Sequence, residues 1–258
     1  FRAGVNAGNS ITSGGNYNTV VGDEAGTALT TGDNNVAIGF EALSTEDADG
    51  DNVAVGYQAL KTLNAGASGV NTAVGYKAGT ALTTGRQNVL IGGLAGDALT
   101  DADDNVSVGR SALGSDTLGS KTVAIGRSAL ATQNFTSATD TYNTAIGYNA
   151  GTAVTTGQFN TLLGGEAGDA LTAGTRNVAL GYASLSTDTL GSKSVAVGIN
   201  ALFTQNFTTA TNTFNTAVGT DAGAAVTTGT LNTLIGGLAG DALTDSDRNT
   251  AIGYNALS

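Results

Sequence analysis

The sequence predicts an all-β fold, a parallel β-solenoid of stacked coils, and three observations predict it. A short unit recurs fourteen times along the chain, most often at a seventeen-residue spacing. Glycine holds one fixed place in every copy. The aliphatic positions around that glycine obey a volume rule that disordered sequence would not keep. A short fixed period of this kind marks units that bury their apolar faces only by stacking on their neighbours.

The units open at Asn18, Asn35, Asn52, Asn71, Asn88, Asn105, Thr122, Asn143, Asn160, Asn177, Ser194, Asn215, Asn232 and Asn249. Most follow the previous one by seventeen positions; one follows by nineteen and two by twenty-one. The stretch NTAVGYKAGTALTTG at Asn71 returns nearly unchanged at Asn143 and Asn215. These three openings define a super-repeat, with insertions near 132–142 and 204–214. Residues 1–258 therefore read as a single continuous array. Arg2 to Tyr17 resemble the tail of an earlier unit, so the chain reads as an excerpt of a longer fibre.

With the opening residue at position 0, position +1 is always Thr or Val, +3 always Val, Ile or Leu, and +4 always Gly. β-Branched residues closed by glycine predict a short strand ending at a corner. Units this short, with glycine in every copy and no helical period, cannot hold a helix. Asparagine at position 0 suits a turn, and it can also ladder between stacked coils.

Position +8 is only ever Gly or Leu. The Gly coils carry Leu or Val at +11, as in Leu29, Leu82 and Val154. The Leu coils carry a polar +11 at Glu46, Asp116, Gln133, Asp188 and Gln205, and only Leu60 with Leu63 breaks the rule. One large aliphatic per coil at either of two places is what a core of fixed cross-section requires, because cavities and overpacking both cost roughly 1–5 kcal/mol.

Alternation along the strand places +1 and +3 on one face and +2 on the other. With +3 in the core, the +2 series would face outward as a stripe of small apolar residues. It comprises Ala37, Ala54, Ala73, Leu90, Ala124, Ala145, Leu162, Ala179, Ala196, Ala217 and Leu234. A strand apolar on both faces needs covering on both sides, so this stripe is the expected homotrimer interface.

The composition narrows the function. Histidine, cysteine, methionine, tryptophan and proline are absent, so the chain has no imidazole base, thiol nucleophile or soft metal ligand. No enzyme activity is expected. A formal charge of −11 disfavours nucleic acid and anionic membrane surfaces, and no apolar run is long enough to span a bilayer.

The words NVAIGFEAL, NVAVGYQAL, KTVAIGRSAL and KSVAVGINAL resemble the head repeats of YadA-like trimeric autotransporter adhesins. The fuller NTAVGYKAG…TTG form is similar to repeats of phage tail fibres and related bacterial surface proteins. The resemblance covers nearly the whole chain and implies a parallel β-roll, a homotrimer and a role in attachment. The coils of seventeen and twenty-one positions are longer than the adhesin pattern. Fourteen coils at about 4.8 Å give a rod of roughly 65–70 Å.

Contact chemistry is expected in the two insertions, TQNFTSATDTYN and TQNFTTATNTFN, through Phe135, Tyr142, Phe207 and Phe214. Insertions into a solenoid emerge as loops on one face. Their aromatics suit packing against a neighbouring chain, or contact with carbohydrate. Acidic turns at Glu46, Asp47, Asp49 and Asp51, at Asp101, Asp103 and Asp104, and at Asp245 and Asp247 have the oxygen ligands Ca²⁺ takes. The Ca²⁺-binding GGxGxDxUx repeat is absent, so solvated turns without a cofactor are expected. Threonine pairs such as Thr30–Thr31 point to opposite faces, which disfavours ice binding.

The chain thus reads as a shaft or stalk segment of an extracellular attachment fibre, on a virion tail or a bacterial cell surface. It would meet a receptor or polysaccharide through parts outside this segment. The alternative is a monomeric β-solenoid that binds surface glycan along one face.

Overall fold

A computed structural model describes residues 2–66 and 68–258. Among them there is no helix, and the chain forms a parallel β-solenoid of about fourteen turns, most of them at a seventeen-residue spacing. Its contacts divide into two units, Phe1–Ile125 with Asn134–Asp140, and Gly126–Gln133 with Thr141–Ser258.

In the first unit the motif strands, from Thr19–Val21 to Val123–Ile125, pair parallel with their neighbours in strict register. The coil of nineteen positions causes no slip: Val53, Ala54 and Val55 face Thr72, Ala73 and Val74. In the second unit the strands from Thr144–Ile146 to Thr250–Ile252 pair in the same way. Val195, Ala196 and Val197 face Thr216, Ala217 and Val218 across a coil of twenty-one. The extra residues of the long coils fold back on the preceding turn. Thr139–Asp140 pairs with Gly119–Ser120 in the first unit, and Thr211–Asn212 with Gly191–Ser192 in the second.

The strand faces are the reverse of the sequence expectation. Ala37, Ala54, Ala73, Leu90, Ala124, Ala145, Leu162, Ala179, Ala196, Ala217 and Leu234 are at most 1% exposed. They form the core of their own coils and cannot face a second chain. The aliphatics at +3 point outward instead. The cause is volume, because +2 shares the narrow coil interior with +8. In the coil opening at Asn88, Leu90 is large and +8 is Gly96. A Cβ added at Gly96 would come within 2.8 Å of both Leu90 and Leu99. Leu162 stands in the same relation to Gly168, and Leu234 to Gly240. The account of core volume therefore runs over +2, +8 and +11 together.

Four corners of each turn adopt positive φ, at −1, +4, +6 and +8. At +4 only glycine serves, since φ is 125–145° in all fourteen copies. The leucines at +8 also lie in the left-handed region, with φ from 48° to 58°. That conformation is costly for a bulky side chain; in Leu43, Leu60, Leu113, Leu130, Leu185 and Leu202 complete burial offsets it.

Asparagine at position 0 closes its own turn and joins the next. Its Nδ2 donates to a carbonyl near the end of the same turn, as from Asn71 to Gly85 (3.0 Å) and from Asn160 to Gly174 (2.9 Å). Its Oδ1 accepts the backbone N–H that opens the following turn, as from Asn88 to Asn71 (3.0 Å) and from Asn177 to Asn160 (3.0 Å). An amide can do both at once because it carries a donor and an acceptor.

Candidate functional site

The outward face of the motif strands is a regular apolar surface. In the first unit it presents Ile38 and Val74, each 36% exposed, and Ile91 at 39%; in the second it presents Leu163 at 43% and Ile235 at 39%. The +1 residues beside them are mostly half-buried. Because the strands are in register, these side chains repeat at one place on each turn. Strand alternation made the two faces legible in the sequence. The signal for which face was inward lay in Leu90, Leu162 and Leu234, which enlarge +2 only where +8 is glycine.

Of the four aromatics expected in exposed loops, two are buried: Phe135 is 6% and Phe207 is 7% exposed. Asp188, fully buried at +11, explains the second. Its Oδ1 accepts the backbone N–H groups of Gly191 (3.0 Å) and Phe207 (3.1 Å), and its Oδ2 accepts from Gln205 Nε2 (2.6 Å). Gln205 Nε2 also donates to Ser194 Oγ (2.8 Å), while its Oε1 accepts from Asn215 Nδ2 (2.8 Å). In the first unit Asp116 Oδ1 likewise accepts from Gly119 (3.2 Å) and Phe135 (2.9 Å). These polar side chains at +11 are thus interior groups that capture the donors of the folded-back insertion. A buried polar network is stable when its members are satisfied.

Tyr142 and Phe214 are each 50% exposed, and both rings have partners within the second unit. Tyr142 stacks on Phe159 at 5.6 Å, with the Arg176 guanidinium 5.0 Å from the Phe159 centroid; Lys193 Nζ lies 4.9 Å from that of Phe214. In the first unit Phe40, Tyr57 and Tyr76 form a second stack, with centroids 5.4 and 5.3 Å apart. These columns use ring faces to hold turn to turn, and each cation–π contact is worth about 0.5–1 kcal/mol when exposed.

Among the described residues no three acidic side chains come together in a way that could hold a metal ion. Most of the acidic turns staple one coil to another. Asp103 Oδ1 accepts the Arg86 N–H (2.7 Å), Asp101 Oδ1 the Thr84 hydroxyl (2.6 Å) and Asp247 Oδ1 the Thr230 N–H (2.6 Å). Glu46 and Asp49 differ, being 0% and 5% exposed rather than solvated. Glu46 Oε1 accepts from the N–H groups of Asp47 and Asp49, both at 3.2 Å. Glu46 Oε2 and Asp49 Oδ2 are buried with no donor.

Burial, and then the Asp49 charge beside it, push the Glu46 carboxyl up to about 7. One proton on Glu46 supplies the missing donor between the two groups. The folded chain then holds a proton that the unfolded chain has released near pH 4.5. Stability from this site is therefore complete below about pH 4.5 and is lost as pH rises through about 7. Between about pH 4.5 and 8 the unfolding free energy of this coil is expected to fall by on the order of 2 kcal/mol. Glu46→Gln should flatten that slope in denaturant titrations, and an unchanged slope would refute the shared proton.

Comparison with protein-family models, curated proteins and solved structures finds no match to this chain.

Proposed function

We propose that the chain is a structural segment of a trimeric extracellular attachment fibre, the shaft of a phage tail fibre or a bacterial surface adhesin. In this reading its work is mechanical: stacked coils space and orient a receptor-binding tip carried elsewhere. The observation that carries the reading is the outward aliphatic at +3, returning in register on turn after turn at Ile38, Val74, Ile91, Leu163 and Ile235. A repeating apolar stripe is a site of association, and axial symmetry lets three copies cover it without leaving an open face. The resemblance of the repeat words to adhesin heads and tail fibres points the same way. The trimer contact assigned to this stripe comprises the +3 residues and the flanking +1 Thr and Val.

Light scattering coupled to size exclusion, over a dilution series, tests the assembly. The expected mass is three times the 25.2 kDa chain, stable on dilution. A single-chain mass at every concentration would overturn the trimer.

A further inference from the structure

Two exposed columns flank the outward strand face, one at position −1 before each strand and one at +5 behind its glycine corner. Each column stacks along its own line: Tyr142 on Phe159 at −1 in the second unit, and Phe40, Tyr57 and Tyr76 in succession at +5 in the first. Strand and corner lie between the columns. At about 3.3 Å per residue they hold −1 and +5 of one coil out of side-chain reach.

The two columns nevertheless compensate one another in size, coil by coil. Glycine holds +5 in three coils, at Gly93, Gly165 and Gly237, and −1 in those coils is long: Gln87, Phe159 and Leu231. Where +5 is the ring of Phe40, Tyr57 or Tyr76, −1 is Asn34, Asp51 or Val70. Asp104 and Arg110 place opposite charges at the two positions, and only Tyr142 with Tyr148 places aromatics at both. The glycines at +5 have no steric reason within their own chain. Their φ lies outside the left-handed region. Beyond the adjoining residues, an added Cβ would come no nearer than 4.0 Å to any atom at Gly93, 3.5 Å at Gly165 and 3.6 Å at Gly237. Exchange of volume between two places is what contact between them requires, since cavities and overpacking both destabilise. Within one chain these places cannot touch.

We propose, resting on the assembly inferred above, that −1 of one chain packs against +5 of the next chain at the same turn. Copies related by an axis along the solenoid set the strand start of each beside the strand end of its neighbour, so the contact is head-to-tail and closes on itself. Phe159 and Leu231 then fill the space over the neighbouring copy's Gly165 and Gly237. Rings at +5 cover the short −1 residues in the same way.

Light scattering on the whole chain at rising denaturant tests the pairing. Gly165→Phe should weaken association about tenfold or more. The amide spectrum of its own coil should persist, because +5 carries a ring at Tyr57 and Tyr76. Adding Phe159→Gly to Gly165→Phe should recover most of the loss, since glycine readily adopts the φ of 59° found there. Adding Arg176→Gly instead, one turn away, should recover none. A second reading uses cysteine, which the chain lacks. Oxidation of Phe159→Cys with Gly165→Cys should join the chains covalently, and Arg176→Cys with Gly165→Cys should not. Undiminished assembly of Gly165→Phe, rescue by Arg176→Gly or by neither change, or an assembled mass without cross-links would overturn the pairing alone. A single-chain mass for the parent would overturn the assembly and the pairing with it.

Discussion

Gly92→Ala is expected to cost roughly 3–5 kcal/mol and to lower the unfolding midpoint well below that of the parent. Two independent terms combine. Gly92 has φ 132°, where an L side chain is strained whatever the space around it, and its new Cβ would stand 2.6 Å from the Gly109 carbonyl oxygen and 2.7 Å from its carbon. The neighbour cannot yield, because it is the backbone of the next turn, held in register by the strand ladder. Gly66→Ala is the control. Gly66 also has positive φ, 68°, yet nothing lies within 4 Å of its added Cβ, so about 1 kcal/mol of backbone strain is expected there. Denaturant midpoints of the two variants decide the matter. Equal losses would mean that close stacking of the +4 corners contributes nothing to the glycine requirement.

Charge placed on the two faces of one strand type should have opposite consequences. Ala145 is fully buried, so Ala145→Glu must bring a carboxylate into the core without a partner, at about 4 kcal/mol or more. Its coil is expected to unfold, with loss of amide protection across Thr144–Ile146. Leu163 is 43% exposed. Leu163→Glu should leave protection of Thr161–Leu163 intact while reducing the mass of the assembly. Hydrogen exchange and light scattering on both variants separate the outcomes. A folded Ala145→Glu chain with reduced mass would return +2 to the interface and reverse the faces once more.

Much of this architecture was legible without coordinates. The seventeen-residue period, the glycine at +4 in all fourteen units and the Thr/Val–x–aliphatic strand follow from counting, because each stacked coil repeats one set of steric demands. Exchange of a large residue between +8 and +11 revealed a core of constant section, and the structure extends that exchange to +2 through Leu90, Leu162 and Leu234. The acidic turns were visible as composition, but their roles were not. Asp103 and Asp247 are bonded across turns, whereas Glu46 and Asp49 are interior.

Tertiary structure alone decided two matters. It decided which strand face is inward, since alternation defines two faces but does not rank them; the ranking comes from the width of the coil, which small residues fit. It decided that the insertions fold back and bury Phe135 and Phe207, since the buried Asp116 and Asp188 that capture their N–H groups belong to the preceding turn. By itself the sequence determined the period, the strands and the glycine corners, because these are local demands repeated in every unit. Facing, docking and the candidate site depend on what the neighbouring turn supplies, which no single unit encodes.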